Sequence, residues 1–502
     1  MRTNDRTFRA LRFFGPLALG LTPQAIETPL QCSDRGPRLF LSLVLLGLLS
    51  LPAFSQEAAP NRDEEIFGAE TPVPPSTPGG DAQAPAAATP PAGNTEARIE
   101  GKLRDKEQTT TIGGELHLIM AYEAVDDRRV DEDRLFSPSF FDLFLDGRPN
   151  DRLRGFVRGR LTHDFTVKKG ELDQMGQPVE PTVATLDQLW LKFDLLRKIY
   201  VTVGRQPVRW GAGQIWNPTD FLNLQRKDPL AVMDKRLGVG LVKLHLPIES
   251  LGWNLYAVAN LDDAANPDQV GSALRAEMVF GKTELALCAA ARRNQPLRFG
   301  LDVSSGVGDF DLRLEAAVLH GDKQKYWKGD FDAVNRIFAD PYSREDDWIP
   351  QVSAGGDVAI RYSDQDNVVV GTEFFYNDAG YANPDLYPWL LVQNQLTFFY
   401  VGRYYAAAYA ILAQPGSWND TTFMLTAIGN LSDNTWITRF LYQVNLLTHL
   451  SLSAYAALHL GDQGEFKFHL TIPKNTDLSG LENGIDLHAP ILDLGLWLTL
   501  KV

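Results

Sequence analysis

The sequence of 502 residues contains only two cysteines and eight histidines. Cys32 precedes an apolar segment that we expect to be removed, which leaves Cys288 alone and excludes an intrachain disulfide. The histidines are scattered singly, and the chain has no HExxH, GxSxG, P-loop or Cys-His metal spacing. The sequence therefore favours a protein that is not an enzyme and that needs no cofactor or metal. For Cys288, an inert position on a strand is favoured over a reactive thiol.

Long apolar runs are also scarce. Leu39–Leu51 (LFLSLVLLGLLSL) is short for a transmembrane helix, follows Arg35 and Arg38, and precedes the small residues Ala53 and Ser55. This pattern predicts a secretory signal that is cleaved near Ser55–Gln56. The residues in front of it indicate either an extended n-region or a start codon placed too far upstream. Since no other run approaches 18 apolar residues, no transmembrane helix is expected downstream.

An excess of positive charge is absent as well. The formal net charge is -15, which argues against a nucleic-acid partner. The mean hydropathy is -0.18, too low for a helical membrane protein. A barrel whose strands alternate lipid-facing and lumen-facing residues averages near neutral. Composition therefore favours one large β domain.

Three regions follow from these patterns. Residues 1–55 are the predicted signal peptide. Residues 56–110 are rich in Pro, Ala, Thr and acids, so they cannot bury enough apolar surface to offset their ordering entropy. We interpret them as a disordered periplasmic linker. Residues 111–502 are the predicted barrel.

Arg152–Lys168 shows the clearest strand pattern. Leu153, Val157 and Leu161 occupy odd positions, and four arginines occupy even positions. Side chains on a strand point to opposite faces with period two, so one face is apolar and the other basic. A lipid-facing wall around an aqueous lumen accommodates both faces, whereas a soluble sandwich does not.

Similar alternation recurs to the end of the chain, and the connections between strands alternate in length. Short connections on one side and long connections on the other are typical of outer-membrane barrels. The pattern predicts an all-β, closed, antiparallel transmembrane barrel of 18 strands, with 16 as the alternative. Strands must close into a ring because an open edge cannot be satisfied in lipid.

The basic positions of these strands are the candidate pore-lining residues. An aligned set of guanidinium groups would favour anions, whereas pairing with acids such as Asp142, Asp187 or Asp194 would neutralise it. The sequence leaves both interpretations open. The candidates are Arg152, Arg154, Arg158, Arg160, Arg275, Arg298 and Arg313.

The chain is organised around Leu189–Arg236, where a predicted hairpin is followed by a long polar and aromatic loop. This loop could fold into the lumen as a constriction, or it could rigidify the outer rim. Charge-assisted hydrogen bonds would lock its side chains together. The constriction candidates are Arg205, Arg209, Trp210, Asn217, Asp220, Asn223 and Arg226. For the aromatics Trp190, Tyr200, Trp210, Trp216, Trp253 and Tyr256, interfacial girdles are favoured over a sugar-binding path.

The segment GRQPVRWGAGQIWNPTDFLN (Gly204–Asn223) resembles a GRQ…WG…NP…D pattern of uncharacterised porin-like families. The architecture resembles bacterial outer-membrane porins and export barrels, and more loosely the alginate-export porins. Leu492–Val502 is similar to the C-terminal strand that the barrel assembly machinery recognises, although it ends in Val502 rather than an aromatic residue.

The resemblance implies a multi-pass protein of the bacterial outer membrane, with its N-terminal segment in the periplasm. Its implied partners are membrane lipid, the barrel assembly machinery and a small solute, and a homo-oligomer stays open. The expected function is a channel for small polar or anionic solutes or oligosaccharides. One alternative is an export or surface-assembly barrel that works with periplasmic partners. Another is a structural or adhesive barrel with a plugged lumen.

Overall fold

The computed structural model describes residues 110–126, 133–171, 179–223, 225–332, 335–364, 366–472 and 484–502. The predicted signal peptide and all but the last residue of the predicted linker lie outside these ranges. The described part of the chain is almost entirely β-structure.

Twenty-one strands are numbered in chain order. Their bounds are β1 Thr110–Val125, β2 Arg134–Phe136, β3 Pro138–Asn150, β4 Leu153–Asp164, β5 Thr182–Leu195, β6 Ile199–Gln206, β7 Val239–Ile248, β8 Trp253–Asn260, β9 Gly271–Phe280, β10 Thr283–Ala291, β11 Leu297–Val307, β12 Phe310–Lys328, β13 Asp340–Arg361, β14 Asn367–Asn377, β15 Tyr404–Ala413, β16 Thr421–Asn430, β17 Thr435–Leu447, β18 Leu450–Leu460, β19 Leu470–Ile472, β20 Ile485–Leu487 and β21 Pro490–Lys501.

The wall is a single closed antiparallel sheet. From β3 to β18 each strand pairs with the next along the chain, and β21 closes the ring by pairing with both β18 and β1. β2 and β3 both pair with β1 and together form one wall strand that is interrupted at Ser137. In the described residues this gives 18 wall strands, as the sequence predicted. β19 and β20 form a separate small hairpin.

The two faces of the wall differ as the alternation predicted. On β4, Leu161 is 48% exposed on the outside, whereas the neighbouring Arg160 is 9% exposed on the inside. On β21, Leu494 and Leu496 are exposed outward, whereas Trp497 is buried inside. The sequence therefore places an apolar surface around the barrel and polar side chains within it.

Connection lengths agree with the prediction. Short turns such as 281–282 and 308–309 lie at the end of the barrel that also holds Thr110 and Val502. Most of the long connections lie at the other end, where residues 292–296 and 431–434 are the two brief exceptions that the sequence indicated. β12 and β13 are 19 and 22 residues long and extend beyond their neighbours. Among the described residues, no helix reaches the length and apolarity that crossing a membrane requires.

The hydrophobic core lies inside the barrel, between the wall and inserted loops. The β6–β7 connection, residues 207–238, is named here the lumen loop. Its Trp210 and Phe221 pack against Leu241 and Tyr256 of the wall in one cluster. Its Trp216 joins a second cluster that contains residues of β14 and β15. A short helix, α1 (Tyr387–Val392), belongs to a third cluster formed by the β14–β15 connection.

Candidate pore constriction

The lumen loop contacts inward-facing side chains around much of the barrel. Arg160 on β4 donates to the carbonyl of Lys235 at 3.4 Å, and Arg298 on β11 donates to the carbonyl of Phe221 at 3.1 Å. Arg439 on β17 donates to the carbonyl of Leu230. Because these strands are spread around the ring, a segment that touches all of them must cross the interior. This placement disagrees with the rim interpretation, while the role of the loop as a constriction stays a prediction.

Two wall carboxylates hold the part of the loop that contains its tight turn. Glu315 on β12 accepts the backbone N–H of Gly213 and the side-chain amide of Asn217, the latter at 2.9 Å. Glu373 on β14 accepts the backbone N–H of Trp216 at 2.7 Å. Gly211 has φ of 105°, a left-handed conformation that favours glycine. The loop therefore turns where the wall presents hydrogen-bond acceptors.

The two tryptophans of the loop are its hydrophobic anchors. Trp216 stacks on Phe375 with ring centroids 5.6 Å apart, and its indole N–H donates to the carbonyl of Phe399 at 2.9 Å. Trp210 is fully buried, and the guanidinium of Arg275 lies 5.5 Å from its ring centroid. Burial of large aromatic side chains is the main hydrophobic contribution to docking the loop on the wall.

Some of the polar side chains that the sequence predicted to lock together do so, whereas Arg205, Arg209 and Arg226 do not join them. Arg236 donates to Asp220 at 2.9 Å and pairs with Asp234 at 2.6 Å. Asn223 donates to the carbonyl of Val208 at 2.6 Å and to Asp220 at 2.8 Å. Burial raises the pKa of Asp220, although the charge of Arg236 opposes that shift. These bonds make the loop a folded unit of its own.

Arg209 and Arg226 differ from the other arginines inside the barrel. Both are exposed, and neither forms an ion pair with any acid in the part of the chain that the structure describes. The guanidinium of Arg226 lies 5.3 Å from the ring centroid of Tyr400. Lys227 donates to the carbonyl of Gln214 at 2.7 Å, and burial, reinforced by Arg209, lowers its pKa to about 8. The loop thus carries net positive charge at its exposed surface.

Arg205, also a constriction candidate, lies at the end of β6 rather than inside the loop. It donates to the carbonyl of Leu186 at 3.4 Å, and its guanidinium lies 3.7 Å from the carboxylate of Asp262. The structure therefore places Arg205 with the wall, apart from Arg209 and Arg226.

The arginine ladder of β4 is paired with acids on neighbouring strands. Asp142, Asp187 and Asp194, the partners that the sequence suggested, all take part. The closest ionic contacts are Arg152–Asp194 at 2.7 Å, Arg154–Asp146 at 3.0 Å, Arg158–Asp187 at 4.0 Å and Arg160–Asp142 at 2.8 Å. The ladder therefore presents little net positive charge to a solute.

The three remaining arginine candidates face inward on other strands. Arg275 pairs with Glu277 and with Asp302, the latter at 2.5 Å. Arg313 pairs with Asp357 at 2.6 Å. Arg298 donates its hydrogen bond to the lumen loop rather than to an acid. Six of the seven candidates are thus neutralised within the wall.

The girdle interpretation of the aromatic set is wrong for most of its members. Trp210 and Trp216 are fully buried in the lumen loop, and Tyr256 is buried beside His245. Trp190 faces inward, because Leu189 and Leu191 on either side of it are exposed outward. Tyr200 also faces inward, since it pairs with the buried His245 across the strands and its ring contacts that side chain. Trp253 faces outward, where its ring contacts Phe280. Wall aromatics that sequence did not single out, such as Trp348 and Phe299, are exposed and stack on the outer surface.

Glu315, Glu373 and Arg439 are the site residues that sequence reasoning missed. Their strands showed that polar positions face the lumen, yet nothing local indicated contact with a loop about 100 to 200 residues away. Cys288 is buried and unpaired beneath the loop, in the cluster of Trp210 and Phe221. Among the described residues, no group of three or more His, Cys, Asp or Glu side chains could hold a metal ion.

A second inserted segment lies at the long-loop end. Glu465, between β18 and β19, accepts the backbone N–H of Phe399 and the hydroxyl of Tyr405, the latter at 2.7 Å. Asn430 donates to the same carboxylate at 2.9 Å. Burial raises the pKa of Glu465 to about 8. This network ties the β14–β15 connection to the loop after β18.

The fold and the inserted loops define a closed transmembrane-type β-barrel with a partly filled lumen. No protein-family model matches the chain, and no curated protein matches it. Solved structures that resemble it include a BenF-like porin from Pseudomonas fluorescens, at 12% identity and a TM-score of 0.47 over 79% of this chain and 99% of that one. Pseudomonas aeruginosa OccK9 (OpdG) is similar at 11% sequence identity and a TM-score of 0.49, over 78% of this chain and 98% of that one. Pseudomonas aeruginosa OccK2 (OpdF) in complex with glucuronate is similar at 12% sequence identity and a TM-score of 0.46, over 78% of this chain and 98% of that one.

Proposed function

We propose that the protein is a channel of the bacterial outer membrane that admits small polar solutes and favours anions. The support comes from the chain itself. The wall closes without a free edge, and its outer face is apolar, as in a barrel that lies in lipid. The signal peptide of residues 1–55, the periplasmic linker of residues 56–110 and recognition of Leu492–Val502 by the barrel assembly machinery belong to the same proposal. The proposal also includes the resemblance of Gly204–Asn223 to the pattern of porin-like families and the looser resemblance of the barrel to the alginate-export porins.

The observation that carries the preference for anions is the contrast between two sets of arginines. Six wall candidates are paired with acids, whereas Arg209 and Arg226 are exposed on a loop that crosses the lumen. An unpaired guanidinium in a narrow, low-dielectric passage attracts carboxylates and phosphates. Weak binding suits this role, because a channel must release what it admits.

Purified protein in planar bilayers tests the proposal. We expect discrete conductance steps and, in a KCl gradient, a reversal potential that is shifted from zero toward the equilibrium potential of chloride. Liposome swelling adds a matched pair of solutes, since glucuronate and glucose share a ring and differ by one carboxylate. Glucuronate should enter faster. Complete absence of conductance and swelling would instead favour the barrel with a plugged lumen, because three inserted segments already occupy its interior.

A further inference from the structure

The carboxylate of Glu373 accepts hydrogen bonds on both of its oxygens. One oxygen accepts the backbone N–H of Trp216 at 2.7 Å and the hydroxyl of Ser353 at 2.8 Å. The other accepts the backbone N–H groups of Gln214 at 2.9 Å and Ile215 at 3.2 Å. Three successive N–H groups of the loop thus converge on one buried anion, which makes a concave anion-binding turn.

Glu315 holds the two flanks of the same turn. One of its oxygens accepts the N–H of Gly213 and the amide of Asn217, the latter at 2.9 Å. The other accepts the hydroxyl of Thr219 at 2.9 Å and the backbone N–H of the same residue at 3.4 Å. Two neighbouring carboxyl groups of the wall therefore concentrate the attachment of the loop at one place.

The loop sequence is shaped around these two acids. A Cβ on Gly211 would lie 2.6 Å from an oxygen of Glu315. A Cβ on Gly213 would lie 2.2 Å from the carbonyl of Trp216, and 3.1 Å and 3.2 Å from oxygens of Glu315 and Glu373. Only glycine allows the backbone to approach so closely.

We propose that Glu315 and Glu373 are positioning residues that fix the lumen loop across the barrel and thereby set the width and selectivity of the passage. The proposal rests on the channel function proposed above. Neither glutamate needs to touch the solute. They act by holding the segment between Arg209 and Arg226, so removal of either side chain lets that segment leave the path.

The two sites respond differently to glutamine. At Glu373 both oxygens accept backbone N–H groups, so the NH2 of a substituted side-chain amide would face an N–H donor whichever way it turned. At Glu315 the NH2 of such an amide would displace only the long contact from the backbone N–H of Thr219, at 3.4 Å, and could donate to the Thr219 hydroxyl, which also accepts. The amide oxygen would keep the Gly213 and Asn217 donors. The geometry therefore predicts that Glu315→Gln is tolerated and that Glu373→Gln behaves like Glu373→Ala.

Cys288 reports the loop position independently of conduction. It is 6% exposed and lies under Trp210 and Phe221. In a Cys32→Ser background of the full chain, a polar maleimide should label the wild-type protein slowly. Glu373→Ala, Glu373→Gln and Glu315→Ala should label roughly tenfold faster or more, since several buried hydrogen bonds are lost. Glu315→Gln should label at the wild-type rate.

Two further variants keep the test decisive. Gly213→Ala leaves both acids and the wall intact, yet it should expose Cys288, so a wall variant that fails to fold does not end the test. Glu123→Gln is the matched control. Glu123 is a wall acid that is 5% exposed and pairs with Arg134 at 2.7 Å, and among the described residues no hydrogen bond or ion pair joins it to the lumen loop. It should leave labelling unchanged.

Bilayer recordings of the same proteins complete the experiment. The variants that expose Cys288 should show larger single-channel conductance and weaker anion selectivity than the wild type. If Cys288 stays protected in Glu373→Ala and in Gly213→Ala, the positioning role is wrong, even when the wild type conducts. If the wild type does not conduct, the channel function fails, and the labelling rates still decide whether the two glutamates hold the loop.

Discussion

The carboxylate of Glu373 and the backbone N–H of Trp216 lie 2.7 Å apart, although 157 residues separate them along the chain. This contact joins the barrel wall to a loop that leaves the sheet after β6, far from β14 along the chain. The loop that this contact fixes forms a partition across the interior of the barrel. The proposals above place the control of solute passage at that partition.

Reversing the charge of the exposed loop arginines should reverse the ion preference. Arg226→Glu and Arg209→Glu each replace a cation that forms no ion pair with a described acid, so each should move the reversal potential in a salt gradient toward cations. Lys282→Glu makes the same charge change on an exposed turn between β9 and β10 and should have little effect. Equal shifts from all three variants would indicate a general surface-charge effect instead.

Leu161→Arg should destabilise the barrel, because Leu161 is exposed on the apolar outer face of β4. An arginine there costs roughly 2–4 kcal/mol if the position is near the membrane midplane. Arg158→Leu on the inner face should change conductance more than stability. Urea unfolding midpoints in lipid vesicles measure the stability of both variants, and bilayer recordings measure their conductance. Equal midpoints for the two variants would contradict the assignment of the faces.

The sequence predicted the wall of this barrel well, because alternation is a local signal. The placement of Arg160 inside and Leu161 outside needs only the period of two and the requirement that one face meets lipid. The acids that pair with the β4 arginines could also be predicted, since Asp142 and Asp187 lie on strands that neighbour β4. Register between adjacent strands follows from short turns.

The interior could not be predicted to the same depth. The inward course of the lumen loop depends on Glu315 and Glu373, which lie on strands that meet the loop only after the ring has closed. The aromatic set failed for a related reason. Tryptophan is a residue type typical of an interfacial girdle, and only the contacts of Trp210 and Trp216 with the wall place them in the core.

Stability should fall as pH rises through the titration of Glu465. Burial raises the pKa of this carboxyl from 4.5 to about 8, so between these values the folded chain holds a proton that the unfolded chain has lost. The contribution is therefore fully present below about pH 4.5 and lost by about pH 8, with a slope of at most about 1.4 kcal/mol per pH unit.

Glu465→Gln should flatten this part of the profile, because an amide cannot titrate. Asp433, whose pKa burial also raises, should leave a smaller slope of the same sign. Unfolding midpoints between pH 4.5 and pH 8 measure the difference between the two proteins. A wild-type profile that rises with pH while the variant stays flat would mean that the carboxyl is ionised in the folded state.

Replacing Gly211–Thr219 with a short Gly/Ser linker should open the passage. The linker lacks the side chains of Trp216 and Asn217, so the loop loses both its main hydrophobic anchor and its bonds to Glu315. Single-channel conductance should rise, and the difference in entry rate between glucuronate and glucose should shrink. Heat-modified mobility on gels should stay that of a folded barrel, because the wall pairing of β6 and β7 does not involve these residues. Unchanged conductance in a folded variant would show that the loop does not limit the passage.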